Sequence, residues 1–145
     1  MATDPAAFPF DPARFFAGER RQGHDVALGI RYVDHGADWC ELKLDYDRRL
    51  AADATSGVLA SGPIVSLIDM ASGCATWVRL GRFAPTATLD LRIDYLRAAR
   101  PGRAVHGRAE CYRLTRRVAF VRGVAHDGDP DHLIAHTAAT FMLNE

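Results

Sequence analysis

The sequence predicts an α+β protein in which a curved antiparallel sheet wraps around one long central helix. Three observations predict it. A single stretch, residues 60–81, carries apolar residues at helical spacing. The shorter stretches before and after it alternate apolar and polar residues, as half-buried strands do. The turns between strands are too short for crossovers, so consecutive strands are expected to be antiparallel. One long apolar helix must then be covered by the sheet, because nothing else in the chain can bury it.

In chain order, residues 1–10 are Pro-rich and read as irregular. Asp11 and Pro12 are placed as N-cap and first residue of a short helix to about Arg21, docked by Phe15 and Phe16. From Val26 to Val33 the pattern alternates, with Val26, Leu28, Ile30 and Tyr32 on one side. After the turn His35-Gly36-Ala37-Asp38 it alternates again over Trp39–Tyr46, so the two stretches are expected to pair as a hairpin. Residues 47–58 form a polar connection into the central helix, which Gly81 ends and Pro85 keeps ended. The next strand places Thr88, Asp90, Arg92 and Asp94 on one face and Leu89, Leu91, Ile93 and Tyr95 on the other, then turns at Arg100-Pro101-Gly102. Strands at about 103–114, 117–126 and 133–143 complete a four-stranded meander, the last two joined by the tight turn Asp127–Pro130.

Within the central helix, Ser61 suits the N-cap and Pro63 the first turn, where a missing N–H costs nothing. Ile64, Leu67, Ile68, Ala71, Ala75 and Val78 form the face to be buried. A second stripe is small and polar: Gly62, Ser66, Asp69, Gly73 and Thr76. Asp69 is the only carboxylate on the helix. It is a solvated surface residue, a paired structural acid, or a catalytic group whose burial sets its chemistry.

Composition narrows the function classes. The chain has 145 residues, enough for one domain with a real core. Its formal net charge is zero, which gives no basic field for nucleic acid or an anionic membrane. Three scattered cysteines (Cys40, Cys74, Cys111) without a CxxC argue against a disulfide scaffold or zinc site and fit a reducing compartment. With no secretory signal at the N-terminus and no membrane-length apolar run, a cytoplasmic location is expected. His132 and His136 are four apart, but on an alternating stretch without the Glu of a zinc-protease motif. No G-x-S-x-G and no phosphate loop occur.

Three segments carry a family resemblance: the helix start G-V-L-A-S-G-P-I-V-S-L-I-D, the strand T-A-T-L-D-L-R-I-D-Y-L-R-A-A-R-P-G, and the hairpin R-L-T-R-R-V-A-F-V-R-G-V-A. In this order and spacing they resemble the PaaI-like acyl-CoA thioesterases of the hotdog fold, over about residues 25–143. The resemblance divides the chain into an N-terminal extension, 1–24, and a hotdog domain, 25–145. It implies a homodimer or dimer-of-dimers tetramer with an active site shared between protomers, acyl-CoA as substrate, and no cofactor or metal. Asp69 falls on the family's catalytic acid, and Ala60-Ser61-Gly62 fall on its H-G-G run. Thr88 falls where many members place a Ser or Thr that reaches the site across the dimer interface. Arg116 falls near a basic position associated with the coenzyme A phosphates. The chain departs from the pattern in carrying Ala60 for the His, Ser61 for the first Gly and Ala54 for a frequent Asn.

These residues can hydrolyse a thioester. Amides of Ser61 and Gly62 at the helix start would stabilise the oxyanion, helped by the helix dipole. Asp69 would act as general base on water or as nucleophile, with Thr88 holding the water or the acid. Arg97, Arg100, Arg116 and Arg117, around two turns, are coenzyme A phosphate ligands or solvated turn residues. A hydratase of this fold would need an Asp/His pair after the helix start, and Asp69 has no such His. The rival is a hotdog protein that binds an acyl ligand without hydrolysing it.

Overall fold

Ten elements follow one another in the computed structural model, which describes residues 9–18 and 22–144. They are α1 (Pro12–Ala17), α2 (His24–Leu28), β1 (Ile30–His35), β2 (Trp39–Leu44), a 3₁₀ turn (Arg48–Leu50), α3 (Ser61–Leu80), β3 (Thr86–Tyr95), β4 (Val105–Leu114), β5 (Val118–His126) and β6 (Leu133–Leu143). The six strands form one antiparallel sheet in the order β1-β2-β4-β5-β6-β3, with α3 lying against it. This is the α+β hotdog arrangement that the sequence predicts.

The N-terminal segment differs from expectation in two ways. Asp11 caps α1 as expected, its carboxylate accepting from the Arg14 amide at 3.3 Å, but the helix ends at Ala17. The expected continuation to Arg21 runs into residues 19–21, outside the described residues, as is most of the irregular stretch 1–10. Residues 24–28 form a helix rather than the start of a strand. Gly29, at φ 74°, closes that helix in the left-handed region and lets β1 begin at Ile30. The Val26/Leu28 alternation is equally an i, i+2 pair on one helical turn, too short for periodicity to decide. The expected boundary after residue 24 falls inside α2.

α3 starts one residue earlier than its expected cap predicts. Ala60 is the N-cap, with extended backbone and no side-chain cap bond, and Ser61 is the first helical residue, not the cap. Its buried face is the predicted one: Ile64, Leu67, Ile68, Ala71 and Ala75 are all buried, while Val78 is half-buried. They pack on Cys40, Leu42 and Leu44 of β2, Val105, Ala109 and Cys111 of β4, and small residues of β5 and β6. The sheet face is small where the helix approaches. At Gly123 a Cβ would lie 2.6 Å from the Arg108 carbonyl oxygen and 2.8 Å from Thr137 Oγ1, so only glycine fits.

The last four strands are not the expected meander. β4, β5 and β6 are consecutive neighbours, but β3 pairs with β6 and forms the far edge. The Arg100-Pro101-Gly102 turn therefore sends the chain across the sheet instead of closing a β3–β4 hairpin. Within β3 the register slips between Thr88 (opposite Phe141) and Asp90 (opposite Thr140), leaving Leu89 as an extra residue. This bulge inverts the alternation. Thr88 turns to the helix side with Leu91 and Ile93, whereas Asp90, Arg92 and Asp94 keep the outer face.

Candidate active site

The bulge brings Thr88 to Asp69. Thr88 Oγ1 donates to Asp69 Oδ1 at 2.8 Å, linking the edge strand to the middle of α3 within one chain, where the resemblance places this contact across an interface. Asp69 is half-buried, and among the described residues no other donor reaches its carboxylate. One oxygen is held and the other is available. That is the state a general base or nucleophile needs: oriented, partly dry, and not neutralised by a cation.

At the start of α3 the amides of Ser61 and Gly62 have no intrahelical acceptor, as first-turn amides do not, and Pro63 has no N–H. The Ala60 amide is taken by the Leu50 carbonyl at 2.9 Å, so the opening presents two donors. Ser61 lines a cleft of about 360 Å³ with Leu59, Ile64, Tyr95, Leu96 and Ala99. The cleft is mostly apolar, with Ser61 and Arg97 among its lining residues, which suits an acyl or pantetheine chain.

The four arginines do not form one group. Arg97 and Arg100 both close on Asp127, whose side chain is fully buried: Arg97 Nη1 and Nη2 donate at 2.9 and 2.8 Å, and Arg100 Nη2 at 2.6 Å. The Arg100 amide adds a bond at 2.8 Å, and Arg97 also donates to the Ala98 and His132 carbonyls. The Arg97 guanidinium, then that of Arg100, holds the Asp127 carboxyl far below the usual carboxylate range. These arginines are structural ties, and Asp127 is an anchor rather than just a turn residue. Arg116 and Arg117 lie at the opposite end of β4 and β5, roughly 30 Å away by strand rise.

Two histidine groups escaped sequence reasoning, because each is assembled from distant segments. His24 Nε2 lies 2.8 Å from Ser66 Oγ, joining α2 to α3 across 42 residues of sequence. On the outer face, Glu41 of β2 holds His106 Nδ1 at 2.8 Å, and the His106 ring stacks on that of His126, centroids 4.9 Å apart. Burial, then the neighbouring His106, lowers the His126 pKa. Glu41, His106 and His126 are the described residues grouped as metal ligands could be. Their hydrogen bonds are those of a self-satisfied set. The Gly128 amide donates to His126 Nδ1 at 3.2 Å, so the proton sits on Nε2, where a metal would need a lone pair.

A sequence profile of the Thioesterase superfamily matches residues 56–134. The chain is a member of that superfamily. The matched span runs from the connection before α3 into β6, and so contains Asp69, the helix start and Thr88. Among proteins of the superfamily's activity, the chain is 27% identical over 130 residues to the medium/long-chain acyl-CoA thioesterase YigI of Salmonella typhimurium, covering 81% of this chain and 83% of that one. A protein of Pseudomonas aeruginosa of known structure is 38% identical, with a TM-score of 0.78 over 90% of this chain and 95% of that one. The Haemophilus influenzae thioesterase HI1161 is 25% identical, with a TM-score of 0.72 over 83% and 82%. The PaaI protein of the Escherichia coli phenylacetic acid degradation operon, at 14% identity and a TM-score of 0.73 over 83% of each chain, shares the fold. Among the described residues no helix is long and apolar enough to cross a membrane.

Proposed function

We propose that the protein hydrolyses acyl-CoA thioesters, with Asp69 as general base or nucleophile and the amides of Ser61 and Gly62 as oxyanion donors. The observation that carries this reading is the Thr88–Asp69 hydrogen bond, which orients a half-buried carboxylate on an otherwise apolar helix. Membership of the superfamily and the similarity to a curated acyl-CoA thioesterase support the same chemistry. The apolar cleft beside Ser61 supports an acyl or pantetheine chain as its occupant. Arg116 and Arg117, both exposed at the β4–β5 turn, are the arginines this reading assigns to the coenzyme A phosphates, while Arg97 and Arg100 tie down Asp127.

The working site combines two protomers. Ser61 and Gly62 lie eight and seven residues before Asp69, about 12 and about 10 Å away along the axis of α3. The family resemblance implies a site shared between protomers, and this reading pairs the amides of one copy with Asp69 of a second. β3 supports this, because its outer edge is open and Leu89, Tyr95 and Leu96 are exposed along it.

Thiol release from a panel of acyl-CoAs, aliphatic and aromatic, tests the reading. Turnover of at least one chain class is expected. Binding across the panel with no thiol released would replace it with a binding protein in which Asp69 is structural.

A further inference from the structure

The N-terminal segment delivers a side chain to the stripe that holds Asp69. Aromatic contacts fix the segment along α3: Phe10 and Phe15 pack on Trp77 with centroids 5.5 and 5.8 Å away, and Phe83 closes the group at 4.7 Å from Trp77. Further on, His24 of α2 meets Ser66, one turn after Gly62 and one turn before Asp69. Residues at i, i+3 and i+4 share a helix face with Cβ atoms about 5–6 Å apart, so Gly62, Ser66 and Asp69 are neighbours.

The direction of the proton is set by the serine. Ser66 Oγ donates to the Gly62 carbonyl at 3.2 Å, and a hydroxyl has one proton to give. At 2.8 Å from the same oxygen, His24 Nε2 is then the donor. An exposed imidazole N–H is thus parked on a hydroxyl beside a carboxylate that has no cationic partner among the described residues.

We propose that His24, in its imidazolium form, is the general acid of the thioester site, delivering its Nε2 proton to the thiol sulfur as the tetrahedral intermediate collapses and reverting to the neutral imidazole. This rests on the hydrolase reading above. Asp69 accepts a proton from water as the water oxygen bonds to the thioester carbon. The C–S bond then breaks with its electron pair going to sulfur, and the His24 proton goes to that sulfur. The free acid and thiol leave, and the proton on Asp69 returns to His24 through solvent. Because Ser66 lies between the helix-start amides and Asp69, His24 flanks whichever of the two a given protomer contributes.

The test is leaving-group dependence. One acyl group is presented to the full-length protein as its coenzyme A thioester and as its 4-nitrothiophenyl thioester, whose thiolate leaves without protonation. His24→Gln is expected to slow coenzyme A thioester hydrolysis by about 100-fold and the aryl thioester by less than about threefold. Ser66→Ala, which keeps the imidazole and removes its anchor, is expected to show the same selectivity to a smaller degree. Asp69→Asn is expected to slow both thioesters alike, since the base acts before the leaving group departs. Equal losses on both thioesters in His24→Gln, or no loss on either, would overturn the proposal while leaving the hydrolase reading intact. If the wild-type protein hydrolyses neither ester, the hydrolase reading itself fails.

Discussion

Asp69 and Asp127 are the same side chain in opposite surroundings. Asp127 is fully buried and saturated, with two guanidiniums and the Arg100 amide closing on its two oxygens. Asp69 is half-buried and, among the described residues, held by one hydroxyl with no cation against it. Saturation makes a carboxylate a rivet, because any proton or substrate must first break several charge-assisted bonds. A single orienting bond leaves it free to act as a base. Partner count, more than burial, separates the two acids here.

Substitution at the two acids breaks this comparison most sharply. Asp69→Asn should reduce thioester turnover by about 10²- to 10⁴-fold, with a thermal midpoint close to wild type. Asp127→Ala should do the reverse. It strands Arg97 and costs about 3 kcal/mol, the low end for a buried pair because Arg100 is part-exposed, read as a lower urea midpoint. A variant of Asp127 that loses activity while keeping full stability would erase the distinction.

Thr88→Val sharpens it. Removing the one hydroxyl on Asp69 should cost about tenfold in kcat, with recovery in Thr88→Ser.

Acid titration of stability gives the smallest effect and still separates the sites. The pKa of His126 is lowered from 6.5 in the folded protein, so the unfolded chain takes up a proton first and stability falls as pH drops below about 6.5. Asp127 is lowered from 3.8, so its contribution is full above that value and is lost as pH falls below it. Urea midpoints measured against pH should therefore decline in two stages. His126→Gln should flatten the upper stage and leave the lower one.

Much of this was legible in the sequence, and the failures have physical causes. The long helix could be read because Ile64, Leu67, Ile68, Ala71 and Ala75 must share one face, and that constraint spans about three turns. Its cap was not, because Ser61 is chemically suited to a role that backbone geometry gave to Ala60. Asp69 stood out as the one acid on an apolar helix. Thr88 was singled out by resemblance but placed on the wrong face by strict alternation, since a one-residue bulge at Leu89 is invisible to a period-two rule. The arginine pairs looked like neighbours in sequence, yet a ten-residue strand, β4, separates them. His24 with Ser66, and Glu41 with His106 and His126, depend on tertiary placement and left no local signal.

A mixed-protomer assay tests the central claim, that the helix-start amides of one copy work with Asp69 of another. Asp69→Asn and Gly62→Pro, the latter removing one oxyanion donor, are each expected to be nearly inactive alone. Refolded together in equal amounts, they should form hybrids in which one site is intact, restoring about a quarter of wild-type acyl-CoA hydrolysis at random pairing. A mixture no more active than its two parents would place acid and amide in the same chain and contradict the account.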